Sequence, residues 1–341
     1  LGTDHTELYV QPHEALACIP RMPEMFDEPY ADVSQIPTFL VSRLARSAVT
    51  VSLSGDGGDE LFGGYTRYLR APGLWDRFSR TPRGLRRAVA GVLRHGGEGL
   101  LDTAYRVGSS LLARRDRQLI FRDKLQKVTE AMGAADRREF FQRLVSFWPR
   151  QDEVLQTGAP NGNAAAQEVR DRLARDLGDG YDPPADRGFA AWMMAMDQVT
   201  YLPDDILAKV DRASMAVSLE ARVPILDHRV VEFAWRLPLR CKIAEGTGKL
   251  ALRQVLYRHV PRELIERPKQ GFDIPLDTWL RGPLKAWAED LLASERVTRQ
   301  GYLRYGPLEA AWREHQSGRR NLQHHLWVAL MFQSWLDASG C

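Results

Sequence analysis

The sequence predicts an α/β fold, in which part of a doubly wound parallel sheet is followed by a mostly α-helical region. His5–Val10 alternates weakly between polar and apolar residues, as a strand does. Ser34–Arg46 has helical spacing at its apolar positions, and the β-branched run Val49–Leu53 predicts a second, buried strand. A strand, a helix and a strand in this order are typical of a parallel α/β unit.

The remainder is expected to be helical, because no confident strand pattern follows Tyr65. We therefore place the sheet-forming part in residues 1–70 and a mainly helical part in residues 71–341. Ala164–Leu177 is expected to form a helix, and Leu322–Leu336 is apolar nearly all round, which predicts a buried helix. Another helix is expected to be capped by Asp227 and to carry an apolar stripe of Val230, Phe233, Ala234 and Leu237.

Composition excludes several classes of protein. The 341 residues are 44% hydrophobic, enough for a sizeable core, and the net charge of +3 is too small to predict nucleic-acid or membrane binding. Arginines between Arg67 and Arg122 are expected to form solvated helix faces. No apolar run reaches the ~20 residues of a membrane-spanning helix. Three cysteines without a CxxC pair suggest neither a disulfide framework nor a zinc site, which favours a cytoplasmic location.

The most informative segment is the glycine-rich acidic loop Ser54–Glu60, which directly follows the predicted strand Val49–Leu53. Ligands of open α/β sheets bind at the carboxyl ends of strands, where glycines allow close approach to phosphate and carboxylates hold cations. Glycine and aspartate are also ordinary turn residues. The pattern alone therefore leaves a ligand-binding loop and a solvated turn both open.

Several motifs together resemble one enzyme family. The chain contains, in this order, the segments Ser54–Tyr65 (SGDGGDELFGGY), Tyr201–Arg212, Glu220–Pro224, Gly248–Lys249 and Arg267–Phe272. Their order resembles that in the ATP-using synthetase domain of glutamine-dependent asparagine synthetases. The resemblance covers most of the chain except roughly residues 71–187. The resemblance implies a sheet of the PP-loop ATP pyrophosphatase type and a synthetase domain that extends over residues 1–341.

The resemblance also implies a reaction. The cofactors would be ATP and magnesium (Mg2+), and aspartate would be activated as β-aspartyl-AMP before glutamine-derived ammonia attacks it. Two alternatives stay open on the residues alone. One is another adenylating amidotransferase or an enzyme like the β-lactam synthetases, and the other is a catalytically incomplete interaction module.

Within the acidic loop the resemblance assigns roles residue by residue. Ser54 and Gly55 are expected to contact ATP, and Asp59 is expected to bind the metal, with Glu60 as a second-choice ligand. Asp56 stands where well-known members carry a catalytic glutamate that accepts a proton from ammonia. Since its side chain is one methylene shorter, the geometry of that role is left open.

Further candidates lie later and earlier in the chain. Lys249 opens a predicted helix, where a cation is unfavourable unless an anion binds there too, and it is expected to contact the phosphates and assist catalysis. An exposed turn lysine is the alternative. Asp205 and Lys209 are expected to bind ATP from one helix face, which they share with Arg212, although an exposed ion-pair stripe has the same spacing.

The weaker expectations concern substrate and structure. Asp32 and Ser34 are candidate substrate contacts, although helix capping alone explains their residue types. Glu220 and Arg222 are expected to form a structural pair. A closing loop is expected at Lys269, Gly271 and Phe272.

Two features of complete family members do not occur in the sequence: a Ser-Gly-Gly-x-Asp-Ser loop and an N-terminal cysteine that hydrolyses glutamine. Both are expected to precede Leu1, in a missing PP-loop strand and an N-terminal glutaminase domain. We therefore expect this chain alone neither to hydrolyse glutamine nor to form asparagine efficiently. The oligomeric state is left open, with a homodimer as one option.

Overall fold

The computed structural model describes residues 2–95, 127–148, 151–156, 188–266 and 274–340. The chain forms two compact units, of which the first comprises Leu1–Pro72, Asp182–Pro275 and Ser334–Cys341, and the second comprises Gly73–Tyr181 and Leu276–Gln333. Every sequence-predicted site residue that is described lies in the first unit.

Helices dominate the described part of the chain. The α-helices of the first unit are Pro12–Cys18, Met22–Met25, Gln35–Arg46, Gly58–Phe62, Gly188–Val199, Ala208–Met215, His228–Arg236, Leu250–Leu256 and Arg262–Ile265. Shorter 3-10 helices are Ile19–Arg21, Pro224–Leu226 and Leu239–Cys241, and Leu202–Leu207 is a π-helix. The second unit contains the helices Arg83–His95, Arg137–Val145, Gln151–Val154, Leu276–Arg281, Lys285–Leu291, Ser294–Gln300 and Tyr305–Gln316. Residues of the helices Thr66–Ser79 and Gln323–Ser339 belong to both units.

The sheet of the described residues has two parallel strands, β1 (Val51–Leu53) and β2 (Glu220–Arg222). Their register pairs Val51 with Glu220 and Leu53 with Arg222. This result corrects the expectation that no strand follows Tyr65. The two ends of β2 are charged and its pattern is not apolar, so the segment becomes a strand through its backbone pairing with β1.

Two strand expectations near the N-terminus differ from the structure. Residues 5–10 form no strand, and their side chains are exposed without a partner strand among the described residues. A weak alternation does not produce a strand unless a second strand satisfies its backbone groups. The strand expected at Val49–Leu53 exists, but it is not buried, because Leu53 is 72% exposed.

The predicted helices agree with the structure where the structure describes them. Gln35–Arg46 follows Ser34, as expected, and the Asp227 side chain accepts a hydrogen bond from the Arg229 N–H to cap His228–Arg236. In the helix Gln323–Ser339, Leu326 and Leu330 are fully buried. The expected helix Ala164–Leu177 lies outside the described residues.

One hydrophobic cluster packs around the end of the helix Gly58–Phe62. Leu61 and Phe62 are buried against Ala234 of the helix His228–Arg236. Partly buried neighbours complete the cluster: Ile225, Leu226, Val230, Val231, Leu237, Ala251 and Leu252. Phe233 was expected in this apolar stripe, but it is exposed, because the helix turns Val231 rather than Phe233 toward Leu61 and Phe62.

Two arginines also differ from expectation. Arg86 is buried in the second unit, where its Nη1 donates hydrogen bonds to the carbonyls of Met132 and Ala134, both at 3.0 Å. Arg67 in the first unit is largely covered by aromatic rings. The guanidinium groups of these two residues therefore do not belong to a solvated helix face.

No described helix is both long and apolar enough to span a bilayer.

Candidate active site

The acidic loop continues directly from β1. The Ser54 backbone N–H donates a hydrogen bond of 2.8 Å to the Arg222 carbonyl, which extends the ladder one residue past the strand. The Ser54 hydroxyl then donates to Asp56 Oδ2 at 2.7 Å. Asp56 is therefore held at the carboxyl end of β1, the edge at which α/β sheets bind ligands.

A glycine makes the turn that follows. Gly57 has φ +82°, and a Cβ at this position would lie 2.3 Å from Leu226 Cδ2. Both the left-handed conformation and the close approach exclude a larger side chain. The turn leads into the helix Gly58–Phe62, whose first turn carries Asp59 and Glu60.

Asp59 forms an ion pair with Lys249. Lys249 Nζ lies 2.9 Å from Asp59 Oδ2, and the two side chains are 33% and 25% exposed. Lys249 precedes the helix Leu250–Leu256, which confirms that it opens a helix, and its backbone N–H donates to the Phe62 carbonyl. This backbone hydrogen bond ties Lys249 to the helix Gly58–Phe62, which carries Asp59. The ion pair remains accessible to a ligand.

Glu60 has a different environment from its neighbour. Its side chain is 1% exposed and accepts a hydrogen bond of 2.5 Å from the Tyr65 hydroxyl. Burial raises the pKa of Glu60 above the ordinary value of a glutamate. The metal-binding role of Glu60 stays a prediction, for which this buried geometry offers no support.

The donor set at Asp59 fits a magnesium ion that arrives with a nucleotide. Among the residues that the structure describes, no three metal-ligating side chains converge. Magnesium bound to nucleotides typically takes one or two protein carboxylates and completes its shell with phosphate oxygens and water. The partly exposed carboxylate of Asp59 meets that requirement.

A second ion pair joins Lys209 to Asp32. Lys209 Nζ lies 2.7 Å from Asp32 Oδ2, and the two side chains are only 10% and 19% exposed. Ser34 donates to the same carboxylate twice, from its backbone N–H at 2.9 Å and from its hydroxyl at 2.8 Å. The structure therefore brings together three residues that the sequence proposed for substrate or ATP.

Asp205 lies beside this pair. The Tyr30 hydroxyl donates to the Asp205 carbonyl at 2.7 Å and to its Oδ1 at 2.6 Å, and the side chain of Tyr201 also interacts with that of Asp205. Burial, followed by the negative charge of Asp32, raises the pKa of Asp205. This carboxyl group therefore binds a proton more tightly than an ordinary aspartate.

The three residues expected to share one helix face all contact the same segment of the chain. Lys209 contacts Asp32 of the segment 27–32, and Arg212 contacts Asp27 at 2.7 Å. Asp205 contacts Tyr30 of the same segment. Their common face is confirmed, but the alternative of an exposed stripe does not describe Lys209, because that residue is buried.

The segment that carries Asp205 has an unusual backbone. Pro203 lies at the start of the π-helix Leu202–Leu207, which continues into the α-helix Ala208–Met215. Such wide turns are uncommon and often occur at functional sites. Here the wide turn carries Asp205.

Residues missed at the sequence level connect the two ion pairs. The Tyr65 and Tyr201 rings lie edge to face with centroids 5.8 Å apart, and Arg67 lies over both. Asp197 pairs with Arg67. A usable signal was the spacing of Asp197, Tyr201 and Asp205 at intervals of four residues, because such residues share a helix face.

The remaining sequence candidates have separate positions. Gly55 follows Ser54, and a Cβ at Gly55 would meet nothing within 4 Å, so a ligand has room there. Arg222 Nε donates to Glu220 Oε1 at 2.7 Å, which confirms their contact, on an exposed surface. Lys269, Gly271 and Phe272 lie outside the described residues.

Comparisons with known proteins identify the family of this chain. The family model for asparagine synthase matches residues 1–337. A putative glutamine-hydrolysing asparagine synthetase of Mycobacterium tuberculosis H37Rv is 35% identical over 339 residues, which are 98% of this chain and 46% of the relative. Glutamine-hydrolysing asparagine synthetase 1 of Bacillus subtilis 168 is 28% identical over 98% of this chain and 48% of its own length. No solved structure matches.

The matches cover nearly all of this chain but only part of each relative. The chain spans about half the length of the curated relatives that it matches from end to end. The match of the family model extends over nearly the whole chain and includes both ion pairs. The chain therefore belongs to the asparagine synthase family.

Proposed function

We propose that this chain provides the ATP-dependent amidation of aspartate to asparagine. The proposal rests on two lysine–carboxylate ion pairs that lie in the same unit, Asp59–Lys249 and Asp32–Lys209. Adenylation of an acid requires one charged site for the departing pyrophosphate and another for the acid or the nucleotide. Family membership supports the same reaction.

The proposed reaction has two steps. An oxygen of the aspartate side-chain carboxylate attacks the α-phosphorus of ATP, the bond to the bridging oxygen breaks, and pyrophosphate leaves. Ammonia then attacks the carbonyl carbon of β-aspartyl-AMP, and AMP leaves with the carboxylate oxygen. The proton lost by the attacking nitrogen passes to a base.

Lys249 and Asp59 serve the first step. Because both side chains are partly exposed, a triphosphate can approach the Lys249 ammonium, which then stabilises the charge that develops on pyrophosphate. Asp59 would hold Mg2+, which when bound neutralises phosphate charge. The ion pair keeps the two opposite charges compensated when no nucleotide is present.

Asp56 is proposed as the base of the second step. The Ser54 hydroxyl donates to Asp56 Oδ2, which orients that carboxylate, and the open space beside Gly55 leaves room for the nucleotide. A carboxylate held in this way can accept a proton from ammonia as the C–N bond forms.

Lys209, Asp205, Asp32 and Ser34 are proposed to form the other side of the site. The ammonium of Lys209 is already compensated by Asp32, so this cluster offers hydrogen-bonding groups of defined orientation rather than a net charge. Such groups suit the selection of a small amino acid or the polar parts of ATP.

The source of ammonia is proposed from the relatives. Their names describe glutamine-hydrolysing enzymes, and the matched region covers 46% of the Mycobacterium tuberculosis protein. We propose that a glutaminase domain, in the part of such proteins that this chain does not match, supplies ammonia to the site described here.

The test is aspartate-dependent exchange of labelled pyrophosphate into ATP by the natural protein that contains this chain. Lys249→Met is expected to lower the exchange rate by about 100-fold or more, since a cation aimed at developing charge is removed. Lys285→Met is the matched control, because Lys285 is half exposed and lies in the second unit. Equal exchange by both variants would contradict the role of Lys249, and faster exchange with another carboxylic acid would replace aspartate as the substrate.

A further inference from the structure

Arg67 is surrounded by aromatic rings in the first unit. Its guanidinium carbon lies 4.0 Å from the ring centroid of Tyr65, 5.2 Å from that of Tyr201 and 5.4 Å from that of Tyr68. Arginine stacks on aromatic faces more readily than lysine does, because its charged group is planar and weakly hydrated. The three rings therefore lie around a single cation.

Asp197 forms a hydrogen-bonded ion pair with that cation. Its Oδ2 accepts a hydrogen bond from Arg67 Nε at 3.0 Å and lies 2.8 Å from Arg67 Nη2. The Tyr68 hydroxyl donates to the same oxygen. Asp197 is 1% exposed. A buried carboxylate of this kind is costly unless its partner is present, so the pair restricts the position of Arg67.

Two of the three tyrosines contact residues next to the two ion pairs of the proposed active site. Tyr65 donates to Glu60, the neighbour of Asp59 in the helix Gly58–Phe62. The side chain of Tyr201 interacts with that of Asp205, which lies in the π-helix that precedes Lys209. A continuous set of contacts thus runs from the Asp59–Lys249 pair through Arg67 to the Asp32–Lys209 cluster.

We propose that Arg67, held by Asp197, is a positioning residue that fixes the distance between these two clusters. Arg67 does not touch the substrate, and it acts through Tyr65 and Tyr201. The inference rests on the proposed function, because adenylation needs the acid and the triphosphate in line. A displacement of about 1 Å between reacting groups can lower a rate by roughly 100-fold.

The first test compares Arg67→Met with Arg70→Met in the natural protein that contains this chain. Arg70 lies on the same helix, Thr66–Ser79, and is exposed, so its loss controls for the removal of a positive charge. Arg67→Met is expected to lower the pyrophosphate-exchange kcat by roughly 10- to 100-fold per folded active site, with the KM for ATP changed less than about threefold. Arg67→Lys is expected to recover only part of the rate, because it keeps the charge but not the planar stacking.

The second test removes the buried charge as well. Without the guanidinium, Asp197 has lost its cationic partner, so the defect of Arg67→Met is expected to grow as the pH rises and Asp197 ionises. The double variant Arg67→Met/Asp197→Asn is expected to show a flatter pH profile and a higher rate than Arg67→Met alone. Matching rates for Arg67→Met and Arg70→Met would overturn the proposal, as would a loss explained entirely by a smaller folded fraction.

A structural experiment distinguishes a failure of this inference from a failure of the proposed function. Crystal structures of the natural protein and its Arg67→Met variant are expected to differ in the Tyr65–Tyr201 contact and in the separation of Asp59 from Asp205. An unchanged arrangement would overturn the positioning role whatever the activity. Absence of aspartate-dependent exchange in the natural protein would instead overturn the proposed function.

Discussion

At the scale of single residues, the ion pair between Asp59 and Lys249 depends on the small size of Gly64, which lies against both side chains. A Cβ at Gly64 would lie 1.9 Å from Asp59 Oδ1 and 2.3 Å from Lys249 Cε. The Gly64 backbone N–H also donates to the Asp59 carbonyl at 2.8 Å. A side chain at this position would therefore force the side chains of Asp59 and Lys249 away from their present arrangement.

Gly64→Ala is expected to displace the pair and to lower pyrophosphate exchange at least about tenfold, since both the proposed metal ligand Asp59 and the proposed phosphate-binding cation Lys249 must move. The added methyl is also expected to lower the free energy of unfolding by about 1–3 kcal/mol, as overpacking does. Exchange kinetics and urea unfolding measure the two effects. Gly306→Ala is the matched control, because a Cβ at Gly306 meets nothing within 4 Å; similar behaviour of both variants would contradict the argument.

The sequence nominated site residues but not their pairings. The resemblance to the family motifs nominated Asp59, Lys249 and Lys209, whose roles stay predictions. No local pattern indicates that Lys209 pairs with Asp32, 177 positions earlier. Such a pairing follows from packing of the helices Gln35–Arg46 and Ala208–Met215, which sequence periodicity cannot specify. Tyr65 and Arg67 were missed as site residues because their roles depend on partners distant in sequence.

At the scale of secondary-structure elements, one side chain links three helices around the site. Gln198 Nε2 donates to the Glu60 carbonyl at 3.1 Å and to the Met194 carbonyl at 3.0 Å. Gln198 Oε1 accepts from Trp235 Nε1 at 2.9 Å. The helices Gly58–Phe62, Gly188–Val199 and His228–Arg236 are therefore connected through a single amide.

Gln198→Leu is expected to lower the free energy of unfolding by about 1–3 kcal/mol, because it leaves the Trp235 N–H and the Glu60 carbonyl without this partner in a partly buried position. The double variant Gln198→Leu/Trp235→Phe also removes the Trp235 N–H that lost this acceptor, and it is expected to regain part of that loss. Urea unfolding measures both, with Gln254→Leu at an exposed position as the control. Strictly additive losses would show that the two side chains are not coupled.

The helix Gln35–Arg46 was predicted correctly because a buried apolar face leaves a periodic pattern, and Gln323–Ser339 because a buried helix is apolar nearly all round. The strand β2 left no such pattern, since three residues with charged ends become a strand only beside β1. The π-helix Leu202–Leu207 was also unpredicted, because its wide turn has no spacing signature of its own.

At the scale of the whole molecule, the two units differ in their buried ionisable groups. In the first unit, burial raises the pKa of Asp197 and Glu60, so the stability associated with their protonated forms is present at low pH and is lost as the pH rises through their raised pKa values. In the second unit, burial followed by the charge of Arg281 lowers the pKa of His315 to about 4. The stability associated with neutral His315 is present above the ordinary pKa of 6.5 and is lost as the pH falls toward about 4.

His315 provides the clearest test of this opposition, because its ring is fully buried. Its Nδ1 accepts the Leu322 N–H at 3.2 Å, an acceptor that the Oδ1 of an asparagine can replace. Between pH 7 and pH 4, the natural protein is expected to lose up to roughly 3 kcal/mol of unfolding free energy through this histidine, and His315→Asn is expected to lack that loss. The comparison cancels the opposite contribution of Asp197 and Glu60, which both proteins share. Urea unfolding across this pH range measures the difference, with exposed His259→Asn as the control; parallel pH profiles for all three proteins would show that His315 does not sense acid.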